Sequence, residues 1–371
     1  MDRMTESAEA VVGGAPDGRA SLVELDVRGA MPDAHADALA GIDRVLLYSV
    51  PLTTRFRRVT SRDGLLLHGP GGWGECAPFW DYDAGESAQW LRSALEWARD
   101  GGPEPIRATV PVNVTIPVES PEGGAARVRA SGGCATAKVK VADPGMPIED
   151  DAARVRAVAE ALVGTVGDRA RVRVDVNGSW SVDQALAAIV TLQEAAAPVG
   201  GLEYVEQPCG TVAELAEVRR RADGVPIAAD ESIRRADDPQ RVASEHAADV
   251  AVVKVAPLGG VRRALQVGRD TGLDLVVSSA LDTSIGLMQG VRAAACLPDL
   301  PHACGLATAQ LLSADVVAPG ESLLPVNGEI AVRDVAPDEA LIGRTAPPDG
   351  LVDRWLARLA AMARVLCENG R

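Results

Sequence analysis

The stretch Thr136-Ala137-Lys138-Val139-Lys140-Val141 alternates lysine with small or apolar residues and is one of eight short strand-like runs that follow Pro105. Because side chains two apart in a strand share a face, both lysines point to one side and both valines to the other. Helical stretches rich in Ala, Arg and Leu separate the runs, as in a parallel sheet. The runs are residues 110–116, 136–141, 172–176, 203–207, 226–230, 250–255, 273–278 and 303–308.

Eight strands that alternate with helices predict a parallel β/α barrel. The helices are expected at 150–162, 182–195 and 212–221, among others. An open, doubly wound sheet is the alternative. The absence of a GxGxxG motif after the first strand disfavours it.

The 371 residues suffice for two structural units. Residues 1–40 are rich in Ala, Gly, Asp and Pro and are predicted to be a flexible leader. We expect an α+β capping domain to begin in 41–108, with strands at 45–50 and 64–68 and a helix at 86–99, and the barrel to span 109–308. The segment 309–371, with a helix at 351–366, is predicted to return to the cap.

The composition limits the partners of the chain. A formal net charge of −15 disfavours nucleic acid and anionic membranes. The six cysteines show no CxxC spacing, so they indicate reduced thiols rather than a zinc cluster. No signal peptide and no apolar run of about 20 residues is apparent. These features predict a cytoplasmic protein that acts on a small molecule.

Ionisable or polar residues end most of the strand-like runs, and in a barrel those ends form the site of chemistry. The steps from Asp175 to Glu206, from Glu206 to Asp230 and from Asp230 to Lys254 each match about one βα unit along the chain. Alone, each has an ordinary explanation, such as a surface ion pair for a lysine or a helix N-cap for Asp230. The joint pattern is what indicates a site. Its members are Lys138, Lys140, Asp175, Asn177, Glu206, Asp230, Glu231, Lys254, Ser278 and Ser279.

Three carboxylates at one barrel mouth repel one another unless a cation lies between them. Oxygen ligands suit Mg²⁺, which keeps positions open for a substrate carboxylate. Lysines on either side of that carboxylate indicate removal of the adjacent proton, because a metal stabilises the anion that forms. A lysine that serves as the base must be neutral.

With these motifs the chain resembles the enolase superfamily, in its muconate-lactonising-like branch. The likeness covers about residues 45–330 and implies a (β/α)7β modified TIM barrel with an α+β capping domain. The motifs that carry it are Thr136-Ala137-Lys138-Val139-Lys140, Asp175-Val176-Asn177-Gly178-Ser179-Trp180, Val205-Glu206-Gln207-Pro208, Ala229-Asp230-Glu231-Ser232 and Val253-Lys254-Val255-Ala256-Pro257-Leu258-Gly259-Gly260.

The resemblance implies a role for each of these residues. Lys140 would be the base, and Lys254 would stabilise the anion from the other side. The implied ligands of Mg²⁺, for which Mn²⁺ can substitute, are Asp175, Glu206 and Asp230. The implied supporting residues form two pairs. Lys138 and Arg173 would tune and position Lys140, and Asn177 and Glu231 would hold the metal ligands and the lysines from behind.

Residues 51–58, 72–82 and 278–286 carry a narrower likeness within the branch. It implies a lyase of menaquinone biosynthesis that removes water from 2-succinyl-6-hydroxy-2,4-cyclohexadiene-1-carboxylate and so makes the ring aromatic. Cap loops at 53–58 and 79–82 would then close over the succinyl tail. The implied substrate-binding residues are Ser278, Ser279, Arg55 and Phe79.

Other activities remain open at this point. Racemisation of N-succinylamino acids, as a main or side activity, needs a base on each face, and the lysine pair offers both. Dipeptide epimerases of the branch carry Asp-x-Asp on the last barrel strand, where this chain has Ala303-Cys304-Gly305-Leu306. A non-catalytic binding role is disfavoured because the lysines and carboxylates are all present.

Overall fold

The computed structural model of the chain describes residues 19–30, 37–56, 59–234 and 238–369. Within these ranges, the side chain of Arg55 is also outside the description. Most of the predicted leader, residues 1–18 and 31–36, lies outside as well.

An antiparallel sheet of four strands forms the cap, in the order β1 (Ser21–Glu24), β2 (Arg44–Phe56), β3 (Val59–Gly69) and β4 (Gly72–Cys76). A tight turn joins β3 to β4, and Gly72 has a φ of 110° there, in the left-handed region that favours glycine. The helix Ala84–Asp100 packs against the sheet and begins after Asp83, whose side chain accepts from the Glu86 amide.

Two expectations about the cap are wrong. Part of the predicted leader is a strand, since β1 pairs with β2 and places Leu22 opposite Tyr48 in the core. The stretch from Thr53 to Phe56, expected as a loop, belongs to β2, which pairs with β3 as far as Phe56 opposite Val59. In both places pairing with a neighbouring strand decides the local structure.

The C-terminal helix, Leu351–Asn369, packs against the cap helix Ala84–Asp100. Trp355, Leu359 and Met362 are fully buried in the same apolar cluster as Leu91 of the cap helix. The C-terminal helix is thereby part of the core of the cap, as predicted.

Seven parallel strands form the barrel sheet, in the sequential order β6 to β12. The bridge pairs Cys304–Val112 and Gly305–Ser278 join its two ends. This is the predicted modified barrel, with bridges where an eighth strand was expected. The strands are β6 (Asn113–Ile116), β7 (Thr136–Lys140), β8 (Arg171–Asp175), β9 (Leu202–Glu206), β10 (Ile227–Ala229), β11 (Val250–Lys254) and β12 (Asp274–Ser278).

The first predicted run, 110–116, is divided. Its start, β5 (Thr109–Pro111), pairs with β13 (Glu329–Ala331) in a separate ribbon. The remaining helices are Val27–Ala30, Pro121–Arg129, Ile148–Val166, Val182–Ala195, Val212–Arg221, Asp238–Ser244, Val255–Leu258, Val261–Thr271 and Ser284–Ala295. Short 3-10 helices lie at Asp37–Leu39, Gly167–Arg169, Ala197–Val199, Glu231–Ile233, Ala307–Leu311 and Glu339–Leu341.

Apolar side chains between the barrel strands and the surrounding helices form the main core, for example Val139, Val174 and Leu192. Among the residues described, no helix has both the length and the apolar character needed to cross a membrane.

Candidate active site

A pocket opens where the carboxyl ends of the barrel strands meet the cap. Strands β7, β8, β11 and β12 and the segments that follow the barrel strands supply most of its polar lining, and Phe79 comes from the cap. Most of the strand-end residues predicted from the sequence therefore line this pocket, while Glu206 and Glu231 lie behind the lining and contact Lys138 and Asn177. The lining consists of Phe79, Thr115, Lys138, Lys140, Asp175, Asn177, Asp230, Arg234, Lys254, Ser278, Ser279, Ala280, Leu281, Gly305 and Thr308.

Lys138 joins two of the candidate metal ligands. Its Nζ donates to Oδ2 of Asp175 and to Oε1 of Glu206, each at 2.9 Å. All three side chains are buried. Although burial alone would lower the pKa of Lys138, the charges of Asp175 and Glu206 raise it well above its usual range. Lys138 is therefore better suited to hold the two carboxylates as a cation than to accept a proton.

Lys140 has two partners at the mouth of the pocket. Its Nζ donates to Oδ2 of Asp175 at 2.6 Å and to Oδ1 of Asn177 at 2.7 Å. Strand register explains the placement, because Lys140 lies opposite Asp175 in the β7–β8 pair. The predicted base is thus held at the end of its strand by groups from the next one.

Asp230, on the far side of the pocket, is held by two cations. Lys254 Nζ donates to its Oδ2, and Arg234 donates to Oδ1 at 3.1 Å and to Oδ2 at 3.0 Å. Sequence reasoning missed Arg234. The spacing could have indicated it. Arg234 follows Asp230 by four positions, and the short helix Glu231–Ile233 between them brings the two side chains into contact.

Asn177 and Glu231 connect the two sides of the site. Asn177 Nδ2 donates to Oε1 of Glu231 at 3.2 Å, and Arg234 donates to the same oxygen at 3.0 Å. A continuous chain of hydrogen bonds therefore runs from Lys140 through Asn177, Glu231 and Arg234 to Asp230 and Lys254. The sequence-predicted supporting residues Asn177 and Glu231 occupy its centre.

The backbone beside two of the carboxylates is in the left-handed region. Asn177 has a φ of 52° and Gln207 a φ of 41°, a conformation that persists in residues other than glycine only where the surroundings enforce it. Gln207, which sequence reasoning did not select, is fully buried. Its Oε1 accepts from the amides of Asp230 and Ser232 at 3.0 and 3.2 Å. It thereby fixes the end of β10 relative to the end of β9.

The carboxylates differ in their electrostatic surroundings. Burial, followed by the charge of Asp175, raises the pKa of Glu206 to about 7. Burial alone would also raise the pKa of Asp175, but Lys138 and Lys140 lower it below its usual range. Burial, followed by the charge of Arg234, lowers the pKa of Lys254. Of the three carboxylates, Glu206 is the one whose negative charge is least stabilised by its surroundings.

The donor set suits a hard divalent cation, since three carboxylates lie at the ends of neighbouring strands. Oε2 of Glu206 is buried and has no hydrogen-bond partner in the part of the chain that the structure describes, so it is free in its bonding to accept a cation. Among these described residues, however, no three His, Cys, Asp or Glu side chains already surround one point as a metal site. The lysines and Arg234 hold the oxygens instead, and the ligand set stays a prediction.

The predicted substrate-binding residues have different surroundings. Ser278, Ser279 and Phe79 line the pocket, but the Ser279 hydroxyl is engaged by its own loop, donating to Asp282 Oδ2 at 3.0 Å and accepting from the Leu281 amide at 2.9 Å. The side chain of Arg55 lies outside the described residues. These binding roles stay predictions.

Arg173 lies one layer below the mouth, because it precedes Asp175 by two positions on β8. It donates to Glu203 at 2.9 Å, to the Tyr204 hydroxyl at 2.6 Å and to the Ala303 carbonyl at 3.0 Å. These contacts tie barrel strands together at the opposite end from Lys140, and the predicted tuning of Lys140 by Arg173 stays a prediction.

Comparison with known proteins agrees with this architecture. A family model described as enolase C-terminal domain-like matches residues 123–337, and one described as enolase N-terminal domain-like matches 47–98. The chain belongs to the enolase superfamily. The solved muconate cycloisomerase from Pseudomonas fluorescens has the same fold, with a TM-score of 0.64 and 23% identity over 86% of this chain and 98% of that one.

Curated relatives define the family within this superfamily. The o-succinylbenzoate synthase of Thermobifida fusca (strain YX) is 54% identical over 85% of this chain and 94% of that protein. The o-succinylbenzoate synthase of Mycolicibacterium smegmatis is 47% identical over 86% and 95%. At such identity and coverage, the chain belongs to the family of the o-succinylbenzoate synthases.

Proposed function

We propose that this chain is a carbon–oxygen lyase that dehydrates 2-succinyl-6-hydroxy-2,4-cyclohexadiene-1-carboxylate to o-succinylbenzoate, a step of menaquinone biosynthesis. One observation carries the proposal. The chain is 54% identical to a curated o-succinylbenzoate synthase and has Lys140 and Lys254 in the lining of one pocket together with Asp175 and Asp230.

Lys140 performs both proton transfers in this proposal. Its neutral amine takes the proton from the ring carbon that bears the carboxylate, and the electrons of that C–H bond remain with the ring. The hydroxyl group on the neighbouring carbon then leaves, and the Lys140 ammonium group gives it the proton, so that water departs. Because both bonds are broken on the same face, one lysine suffices. The ring becomes aromatic, which drives the reaction forward.

Lys254 acts from the other side of the pocket. It lies on β11, with three strands between it and β7, which carries Lys140. Its hydrogen bond to Asp230 directs the ammonium group into the pocket, where a positive charge stabilises the transient anion. Lys138 holds Asp175, and Asn177 and Glu231 hold Lys140 and Arg234 in place, through the hydrogen bonds described above.

Asp175, Glu206 and Asp230 would hold a divalent cation, which we propose to be Mg²⁺, with Mn²⁺ as a substitute. When bound, such an ion draws electron density from the substrate carboxylate and makes the adjacent proton more acidic. The unpartnered Oε2 of Glu206 and the pKa of this group, raised to about 7 by burial and by the charge of Asp175, support the assignment, because a bound cation would give Oε2 a partner and offset the repulsion between the carboxylates.

The test follows the ultraviolet absorbance of o-succinylbenzoate formed by the purified protein with Mg²⁺, with a chelator, and with Mg²⁺ or Mn²⁺ added back. We expect product with metal and none with chelator. The proposal would be refuted if no product forms with Mg²⁺ and none forms with Mn²⁺.

Racemisation of N-succinylamino acids is a second candidate, favoured by one observation, the presence of a lysine on each side of the pocket. Loss of optical rotation of an N-succinyl-L-amino acid measures it on the same preparation. If racemisation proceeds and dehydration does not, the second candidate replaces the first.

A further inference from the structure

Arg62, on cap strand β3, is buried at the boundary between the cap and the barrel, with 3% of its surface exposed. Its guanidinium donates to the carbonyls of Leu281 at 3.2 Å and Ala280 at 3.4 Å, and also to that of Ala77. It lies over the ring of Phe79, 4.1 Å from the centroid. One cationic side chain therefore contacts segments of both domains.

Three of the residues that Arg62 contacts line the pocket. Phe79 forms its cap wall, and Ala280 and Leu281 form part of its barrel wall. The lysines and carboxylates of the site come from strand ends elsewhere on the barrel. Arg62 thus holds two apolar walls against each other, without being part of the proton-transfer machinery.

The barrel wall is strained at the point that Arg62 holds. Leu281 is buried and has a φ of 66°, which a branched residue adopts only when neighbouring contacts enforce it. Arg62 binds its carbonyl, and Ser279 Oγ accepts from its amide at 2.9 Å. Strained backbone of this kind is found where a precise surface is needed for a ligand.

A second cap residue holds the next part of the same segment. Glu75, on β4, accepts from the Thr283 hydroxyl and amide and, at 2.9 Å, from the Gly286 amide. A Cβ at Gly286 would lie 3.0 Å from the Glu75 carboxyl carbon, so the approach is too close for a side chain. The cap therefore grips residues 280–286 at two successive points.

We propose that Arg62 is a positioning residue that fixes the barrel wall of the pocket, residues 279–282, against the cap wall at Phe79. It thereby determines the fit of the part of the substrate that extends away from the reacting ring carbon. The choice of assay rests on the proposed function, whereas the structural claim about residues 279–282 does not.

The variants Arg62→Met and Arg62→Lys test this role. Methionine keeps much of the apolar length and removes every donor, while lysine keeps the charge and can still reach a carbonyl. Arg44→Met is the matched control, since Arg44 is another cap arginine that pairs with Glu24 and Glu339 and lies over Trp73. Steady-state kinetics with the proposed substrate and amide hydrogen exchange of residues 279–286 are measured for all of them.

We expect Arg62→Met to raise KM by about tenfold while kcat changes less than about threefold, because the wall moves and the lysines do not. Arg62→Lys should recover part of that KM. Exchange of residues 279–286 should accelerate in Arg62→Met and remain at the parent rate in Arg44→Met. A residue that merely supports folding would instead lower kcat with the active fraction and leave KM unchanged.

Two results would overturn the proposal: unchanged exchange at 279–286, or an unchanged KM in a folded variant. If Arg62→Met does not fold, Arg62→Lys decides by the same two measurements. If the parent protein forms no o-succinylbenzoate, the proposed function fails, and the exchange comparison still determines whether Arg62 holds the wall.

Discussion

The ammonium nitrogen of Lys140 lies 2.6 Å from Oδ2 of Asp175, the same oxygen that accepts from Lys138 at 2.9 Å. Two lysines on one strand thus share a single carboxylate oxygen on the next strand. Lys138 also binds Glu206, while Lys140 reaches out to Asn177 at the exposed rim. Lys138 is enclosed by two carboxylates and Lys140 lies nearer the rim, an arrangement that supports the proposal that Lys140 transfers the protons.

Replacement of Lys140 by alanine is expected to lower kcat by at least about a thousandfold, because no other group would take the proton. The Asp175 carboxylate keeps its hydrogen bond to Lys138, so folding and divalent-metal binding should remain close to those of the parent. Product absorbance, circular dichroism and a metal titration measure the three properties. Activity within about tenfold of the parent would exclude Lys140 as the base.

Removal of the metal should stop the reaction, and Mg²⁺ or Mn²⁺ should restore it. Glu206→Gln tests the ligand set, because the change removes the charge next to the unpartnered Oε2. We expect the metal concentration for half-maximal activity to rise by about tenfold or more. Gln184→Glu, which alters an exposed helix position outside the pocket lining, is the control. Full activity in excess chelator, or an unchanged metal requirement in Glu206→Gln, would contradict the assignment.

Local patterns in the sequence sufficed to predict the barrel and the strand-end groups. The alternation around Lys138 and Lys140 sets their common face, and the positions of Asp175, Glu206 and Asp230 at the ends of buried runs set their common edge. The helix Val182–Ala195 has the predicted bounds, since Ser181 and Gln184 form a capping box at its start.

Contacts between distant parts of the chain were beyond prediction. Arg62 and Leu281 are separated by 219 positions, and no local pattern pairs them. Strand β1 is too short to show a period by itself and depends on its pairing with β2. The resemblance implied that Arg173 tunes and positions Lys140, but a motif does not fix how deep a side chain lies in the barrel, and Arg173 is held there by Glu203 and Tyr204.

Gln207 should contribute strongly to stability. Its amide group satisfies the buried amides of Asp230 and Ser232 and donates to the Cys209 carbonyl and the Ser232 hydroxyl at 2.9 and 2.8 Å. Gln207→Met would leave these groups unpaired in the interior, at a cost of about 2–4 kcal/mol in the free energy of unfolding.

Denaturant unfolding measures this loss, and Gln184→Met, at an exposed position of a helix capping box, serves as the control, with an expected loss of about 1 kcal/mol or less. Equal effects of the two substitutions would show that the Gln207 hydrogen bonds do not stabilise the link between β9 and β10.

Glu75 should make stability depend on pH. Burial, followed by the charge of Asp282, raises its pKa from the ordinary 4.5 to about 7. Between pH 4.5 and 7 the folded state binds more protons at Glu75 than the unfolded chain does. The free energy of unfolding therefore falls as the pH rises through this range. The contribution of Glu75 to stability is fully present below about pH 4.5 and is lost as the pH rises through 7. In Glu75→Gln, which does not titrate, that loss should disappear. Relative to the parent, the variant should therefore gain on the order of 1–3 kcal/mol between these pH values.

Urea unfolding at several pH values measures the difference, with Glu329→Gln, at an exposed position of β13, as the control. A difference between Glu75→Gln and the parent that stays constant with pH would show that Glu75 keeps the same charge in the folded and unfolded states.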